Sequence, residues 1–167
     1  MLVLVTGAKG GVGTTTMALH LARGEKVVAL DLADGQLAAR LERATWPLAD
    51  AAILEGARRR QAVNNAVKRR VTLLWTPECA VAPDKAWSFV RAVADRGALI
   101  ADGSVDPPTD VDDLVDVAVI LSVDNPVGRY HQRRLADRYP GAIVVDSPAS
   151  RREARAAARD VAARIFR

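Results

Sequence analysis

The sequence predicts an α/β protein, with a mainly parallel β-sheet flanked by helices on both faces. Three observations point there. Six short apolar runs alternate with segments whose apolar residues recur at helical spacing. Strand alternating with helix implies βαβ crossovers, which are right-handed and bring the strands' carboxyl ends to one edge of the sheet. Three of the runs carry an aspartate at or near that end: Asp31, Asp102 and Asp146. Ligands of open α/β sheets bind along that edge.

In chain order, the predicted strands are residues 2–6, 27–32, 71–75, 98–102, 117–121 and 142–146. The predicted helices are 15–23, 36–43, a stretch within 49–69, 84–96, 128–139 and 150–166. Pro47, the 77–83 region and Asp106-Pro107-Pro108 read as loops. No repeat, low-complexity tract or linker interrupts the pattern, so residues 1–167 are expected to form one domain. A chain of this size buries roughly two-thirds of its unfolded surface.

Composition narrows the class. Half of the residues are hydrophobic and 26% are charged, as in ordinary globular chains. No apolar run approaches the ~20 residues that span a bilayer. Leu2-Val3-Leu4-Val5 is too short for a signal peptide. The single cysteine, Cys79, excludes an intrachain disulfide and a cysteine-based zinc site. A cytoplasmic location is expected. The net charge of +4 is a weak pointer to acidic partners, because location matters more than the total.

The first strand runs into Thr6-Gly7-Ala8-Lys9-Gly10-Gly11-Val12-Gly13-Thr14-Thr15-Thr16 and then into the first helix. Strand, glycine-rich turn and helix start gather backbone N–H groups and a helix N-terminus around one point, which suits phosphate. The glycines let backbone wrap an anion without a Cβ in the way. Lys9-Gly10-Gly11-Val12-Gly13-Thr14-Thr15 resembles the deviant Walker A loop of the MinD/ParA family of P-loop ATPases, K-G-G-x-G-K-(S/T). Only the second lysine is missing, replaced by Thr14.

The resemblance implies a P-loop NTPase-like, three-layer α/β/α domain holding ATP or ADP with Mg²⁺ on Lys9, Gly10, Gly11, Val12, Gly13, Thr14, Thr15 and Thr16. It implies that Thr15 ligates Mg²⁺ and that Thr16 reaches an inner phosphate. Lys9 is then the residue that crosses a nucleotide-sandwich homodimer to the partner's phosphates. Asp31 stands where the family positions the attacking water, and Asp102, ending Ala98-Leu99-Ile100-Ala101, resembles the Walker B aspartate that supports the metal. Gly103-Ser104-Val105-Asp106 loosely resembles the D-x-x-P context of that aspartate. Replacing the loop lysine removes a charge-assisted contact of about 1.5–3 kcal/mol, or roughly ten- to a hundredfold in affinity. Nucleotide binding is therefore expected, with hydrolysis slow or absent for want of transition-state charge. The loop is similar to that of the pilus-assembly TadZ/CpaE branch, whose members are localisation factors. The function implied is a nucleotide-dependent switch that positions DNA or an assembly, or a pseudo-ATPase interaction module with an unidentified protein partner.

A second resemblance is to short-chain dehydrogenases. Thr6-Gly7-Ala8-Lys9-Gly10-Gly11-Val12-Gly13 fits T-G-x-x-x-G-x-G, and Asp31 could bind an NAD ribose. The catalytic Tyr-x-x-x-Lys becomes Tyr130-His131-Gln132-Arg133-Arg134, in which arginine is a poor substitute. Asn64-Asn65-Ala66 lies among basic residues rather than after a strand. The nucleotide-switch reading is favoured.

Charge clusters complete the picture. Arg58, Arg59, Arg60, Lys68, Arg69 and Arg70 lie within 58–70 without an acid, a stretch that could contact DNA phosphates non-specifically or simply be solvated. The last helix carries Arg151, Arg152, Arg155, Arg159, Arg164 and Arg167 beside an alanine-rich face, and is expected to pack on the sheet rather than bind a membrane. Asp102, Asp106, Asp110, Asp112, Asp113 and Asp116 read as a solvated loop and helix start, where acids suit the helix dipole. His20 and His131 are isolated, and the three tryptophans suit core or rim packing.

Overall fold

Strand β1 (Leu2–Gly7) is buried along its whole length. In the computed structural model, which describes every residue except Ser104 and Asp106, it runs through the middle of a seven-stranded sheet. The elements follow as α1 (Thr14–Gly24), β2 (Val28–Asp31), α2 (Gln36–Leu41), β3 (Thr45–Pro47), α3 (Leu48–Ala52), α4 (Gly56–Arg69) and β4 (Thr72–Leu74). Then come α5 (Pro83–Ala94), β5 (Leu99–Asp102), β6 (Val117–Ser122), α6 (Pro126–Arg138), β7 (Ile143–Asp146) and α7 (Arg151–Ile165). The strand order is β3-β4-β2-β5-β1-β6-β7, and every pairing is parallel.

The strands' side chains alternate between two cores, one on each face. Leu2, Leu4, Val28, Leu30, Leu99 and Ile120 face one core, against Leu48, Val63, Phe89 and Val93 of α3, α4 and α5. Val3, Val5, Ala29, Ile100, Val119 and Leu121 face the other, against Met17 and Leu21 of α1, Leu37 of α2 and Val161 of α7. Each fully buried Leu or Ile contributes about 1.5–3 kcal/mol relative to exposure, so the three layers hold each other in place. Helix α7 buries Ala154, Ala158 and Val161 against the α1 side of the sheet and keeps its arginines outside. Trp75 and Trp87 stack with centroids 4.5 Å apart beyond the end of β4.

Three features depart from the predicted elements. Residues 45–47 form a short edge strand, although Pro47 reads as a loop. An edge position needs no N–H donor on its outer side, so proline is tolerated there. The helical stretch within 49–69 is two helices, α3 and α4, separated before Gly56, whose φ is +53°. The loops around Pro77 and Asp110 carry 3₁₀ turns, Pro77–Val81 and Thr109–Leu114. In the second of these, Asp112 is not simply solvated: its carboxylate accepts from Arg138 at 2.7 and 2.8 Å and from the Tyr139 hydroxyl at 2.6 Å. Asp106 and the Gly103–Asp106 motif fall partly outside the described residues.

Candidate functional site

The turn between β1 and α1 is tied down at both ends. Ala8 N–H donates to the Leu121 carbonyl of β6 at 2.8 Å, and the Ser147 hydroxyl donates to the Val12 carbonyl at 2.8 Å. Between them Lys9, Gly10 and Gly11 are exposed, while Val12 turns into the core. The loop folds back onto Gly7, where a Cβ would lie 2.5 Å from Val12 Cγ2 and 2.7 Å from Thr14 Oγ1. Only glycine fits there. Gly13 immediately precedes α1 with φ +93°, a left-handed conformation in which a side chain costs about 1–2 kcal/mol. It brings no side chain to cap the helix, so the first-turn amides of Thr14, Thr15 and Thr16 keep their anion-binding character.

These residues line one wall of a cleft of about 360 Å³ at the carboxyl edge of the sheet. Gly10, Gly11, Gly13, Thr14, Thr15 and Thr16 form that wall. The other wall comes from the β2–α2 turn and α2: Ala33, Asp34, Gln36 and Arg40. Val105 also borders the cleft. Of the residues predicted from sequence, the three glycines and three threonines are thus brought together. Lys9 projects from the exposed outside of the turn, and Val12 supports it from within.

The two aspartates lie behind the cleft. Asp31 and Asp102 are partners in register on β2 and β5, exposed by only 1% and 0%. Leu32 N–H donates to the Asp102 carbonyl at 3.1 Å, and Gly103 N–H donates to that of Val5 at 2.9 Å, fixing this end of β5. The Asp31 carboxylate folds the β2–α2 turn. Its Oδ1 accepts from Ala33 N–H at 3.1 Å and from Gly35 N–H at 3.3 Å, while Oδ2 accepts from Ala38 N–H at 3.0 Å. Three backbone donors thereby find a buried acceptor, and the turn is held in one shape. The exposed acid on the cleft is Asp34, which sequence reasoning missed. The Asp31-Leu32-Ala33-Asp34-Gly35 run contains the signal, since a second aspartate beside a turn glycine places a carboxylate on the loop rather than inside the strand.

Helix α1 carries positive charge on its far side. His20 has a pKa lowered by burial and by the charges of Arg155 and Arg23. No cluster of three or more His, Cys, Asp or Glu suited to a metal occurs among the described residues. The donor set at the cleft instead suits Mg²⁺ held jointly with phosphate, which needs only one or two protein oxygens and keeps several waters.

An all-parallel sheet between helical layers, with a glycine-rich turn leading from the central β1 into α1, defines a P-loop NTPase-like architecture. The order separates β1 from β2 by β5, whereas dinucleotide-binding folds keep strands 1 and 2 adjacent. The chain has the fold of the MinD/ParA ATPases. It superposes on a ParA family ATPase from Chlorobium tepidum with a TM-score of 0.66 at 18% identity, over 87% of this chain and 72% of that one. It superposes on the MinD cell division protein of Aquifex aeolicus with a TM-score of 0.60 at 16% identity, over 97% and 77%. No family model matches the sequence, and no curated protein matches it.

Proposed function

We propose that the chain, read as one domain over residues 1–167, is a nucleotide-binding switch protein of the cytoplasm that binds ATP or ADP with Mg²⁺ and dimerises when it does. The observation that carries this reading is the cleft, in which the first helical turn, Thr14, Thr15 and Thr16, and the loop glycines line one wall at the carboxyl edge of a MinD/ParA-like sheet. Its polar size suits a phosphate chain, with the nucleoside lying outside. Thr15 would ligate Mg²⁺, with Asp102 supporting the metal from behind, and Thr14 through its backbone amide and Thr16 through its hydroxyl would meet phosphate oxygens. Lys9, exposed on the turn, would reach across to the phosphates of a second copy. Asp31 would act through the turn it folds, positioning Asp34 near the water next to the terminal phosphate. The bound nucleotide supplies the scissile phosphoryl group, and turnover would be slow without the loop lysine.

Positioning of DNA or of a protein assembly is the output this reading supports, since the similar folds belong to a ParA family ATPase and a cell division protein. The basic residues of α4 and of its C-terminal cap, Arg70, would serve such a role on DNA. Arg58, Arg60, Lys68, Arg69 and Arg70 are exposed there, and Arg59 is held by Ser88 at 2.7 Å. No helix among the described residues is long and apolar enough to cross a membrane.

Calorimetric titration tests the core of this reading. Mg²⁺-dependent binding of ATP and ADP, with a shift to dimer mass by light scattering in ATP, is the expected result; no binding at millimolar nucleotide overturns it. A second reading, an interaction module with no significant hydrolysis, is favoured by Thr14, whose hydroxyl is turned inward against Gly7. Measured phosphate release indistinguishable from background, together with intact nucleotide binding, would select it.

A further inference from the structure

The loop wall of the cleft is neutral. Its six residues are glycines and threonines, and Lys9 is not among the residues that line the cleft. A triphosphate carries several negative charges, and amides with hydroxyls and one Mg²⁺ leave part of that charge unmatched. Among the described residues lining the cleft, one is a cation: Arg40, from the opposite wall.

Its placement is built rather than incidental. Helix α2 buries Leu37, Ala38 and Leu41 and turns Gln36 and Arg40, one helical turn apart, to the outside and toward the cleft. Arg40 Nη2 donates to Gln36 Oε1 at 3.0 Å. The other end of the same amide, Gln36 Nε2, donates to Asp34 Oδ2 at 2.7 Å, and Gln36 N–H donates to Asp34 Oδ1 at 3.3 Å. The glutamine thus holds the acid and the cation along one rail, in contact with both. A guanidinium has five N–H donors, so the bond to Gln36 leaves the fork able to grip phosphate oxygens in pairs. The α2 end is itself anchored, because Arg23 of α1 donates to the Arg40 carbonyl.

We infer that Arg40 is the phosphate-binding cation of this cleft, doing from α2 what a lysine at position 14 would do from the loop, with Gln36 as the residue that positions it. This rests on the phosphate-cleft reading above. It explains how Thr14 can stand in the loop without depriving the cleft of a cation. It also predicts a phosphate contact that forms only when α2 and the Asp31 turn are in place, which links nucleotide occupancy to the order of that segment.

The experiment is a set of calorimetric titrations with Mg²⁺–ATP, Mg²⁺–ADP and AMP on the wild-type chain, Arg40→Ala, Arg40→Lys, Arg155→Ala and the double variant Thr14→Lys/Arg40→Ala. Arg40 is exposed, so the fold is expected to persist, and a matching thermal transition verifies it. Arg40→Ala is expected to weaken ATP binding by at least tenfold and AMP binding much less. Arg40→Lys should recover part of the loss. Arg155→Ala, which reduces the general positive field without touching the cleft, should change ATP affinity less than twofold. Restoring a loop cation in Thr14→Lys/Arg40→Ala should rescue binding to near the wild-type value. Wild-type binding with Arg40→Ala unchanged, or with Arg155→Ala equally impaired, overturns the inference and leaves the nucleotide reading standing. No binding by the wild-type chain overturns the nucleotide reading, and the inference with it.

Discussion

The two walls of the cleft are made of different chemistry. The loop wall offers backbone amides and hydroxyls, held by glycines at positions where a side chain is excluded by contact at Gly7 or by backbone angle at Gly13. The wall from β2 and α2 offers charge: Asp34 and Arg40 joined through Gln36, on a turn folded by the buried Asp31. One wall presents dipoles that cannot be removed without rebuilding the backbone. The other presents side chains that can be exchanged singly. On the proposed reading, the first wall sets the class of ligand, and the second tunes affinity and chemistry.

The largest expected effect tests the loop wall. Gly13→Asp puts a side chain on a φ of +93° and a carboxylate against the phosphates. Nucleotide binding should disappear in calorimetry, and retained binding would show that the ligand lies elsewhere. Next, Asp31→Ala should lower stability by about 2–4 kcal/mol in denaturant unfolding, because three backbone N–H groups lose their buried acceptor. Asp34→Asn should move stability by less than about 0.5 kcal/mol, as expected of an exposed site, while changing the Mg²⁺ dependence of nucleotide binding. Equal stability losses in the two variants would erase the distinction between the buried aspartate and the exposed one.

Smaller effects sharpen the comparison. Thr14→Lys should tighten ATP binding by clearly less than about tenfold, the equivalent of about 1.4 kcal/mol, because Arg40 already occupies the phosphate oxygens that a loop lysine would meet. A full tenfold gain would show that α2 does not substitute for the loop. The smallest effect lies on the far side of α1. Burial and the charges of Arg155 and Arg23 lower the His20 pKa below its ordinary 6.5. The unfolded chain then takes up a proton at this histidine before the folded chain does. Stability rises with pH across the interval from the lowered value to 6.5 and is partly lost as pH falls through it. His20→Gln should flatten that slope in thermal melts.

Much of this was legible from residue order. The alternation of apolar runs with helical segments, the glycine-rich turn and the strand-end aspartates placed a glycine-rich loop at the carboxyl edge of a parallel sheet. The edge strand at Thr45–Pro47 was not legible, because three residues ending in proline carry no periodicity. Nor was the second wall, because helical spacing over 36–43 does not say which residues of that helix meet the glycine-rich loop.

The sequence by itself determined the local chemistry: where six of the seven strands lie, where backbone amides are left open, and that the loop lacks its second lysine. Those properties depend on neighbours within a few residues, through periodicity and turn conformation. Tertiary structure decided the rest. Inserting β5 between β1 and β2 aligns Asp31 with Asp102 and sets the β2–α2 turn opposite the loop. That insertion turns one aspartate of the Asp31–Asp34 run into a buried brace and leaves the other on the cleft. It also brings Arg40 to the same cleft as the glycine-rich loop, from the far wall, a juxtaposition created by packing across the sheet and helices.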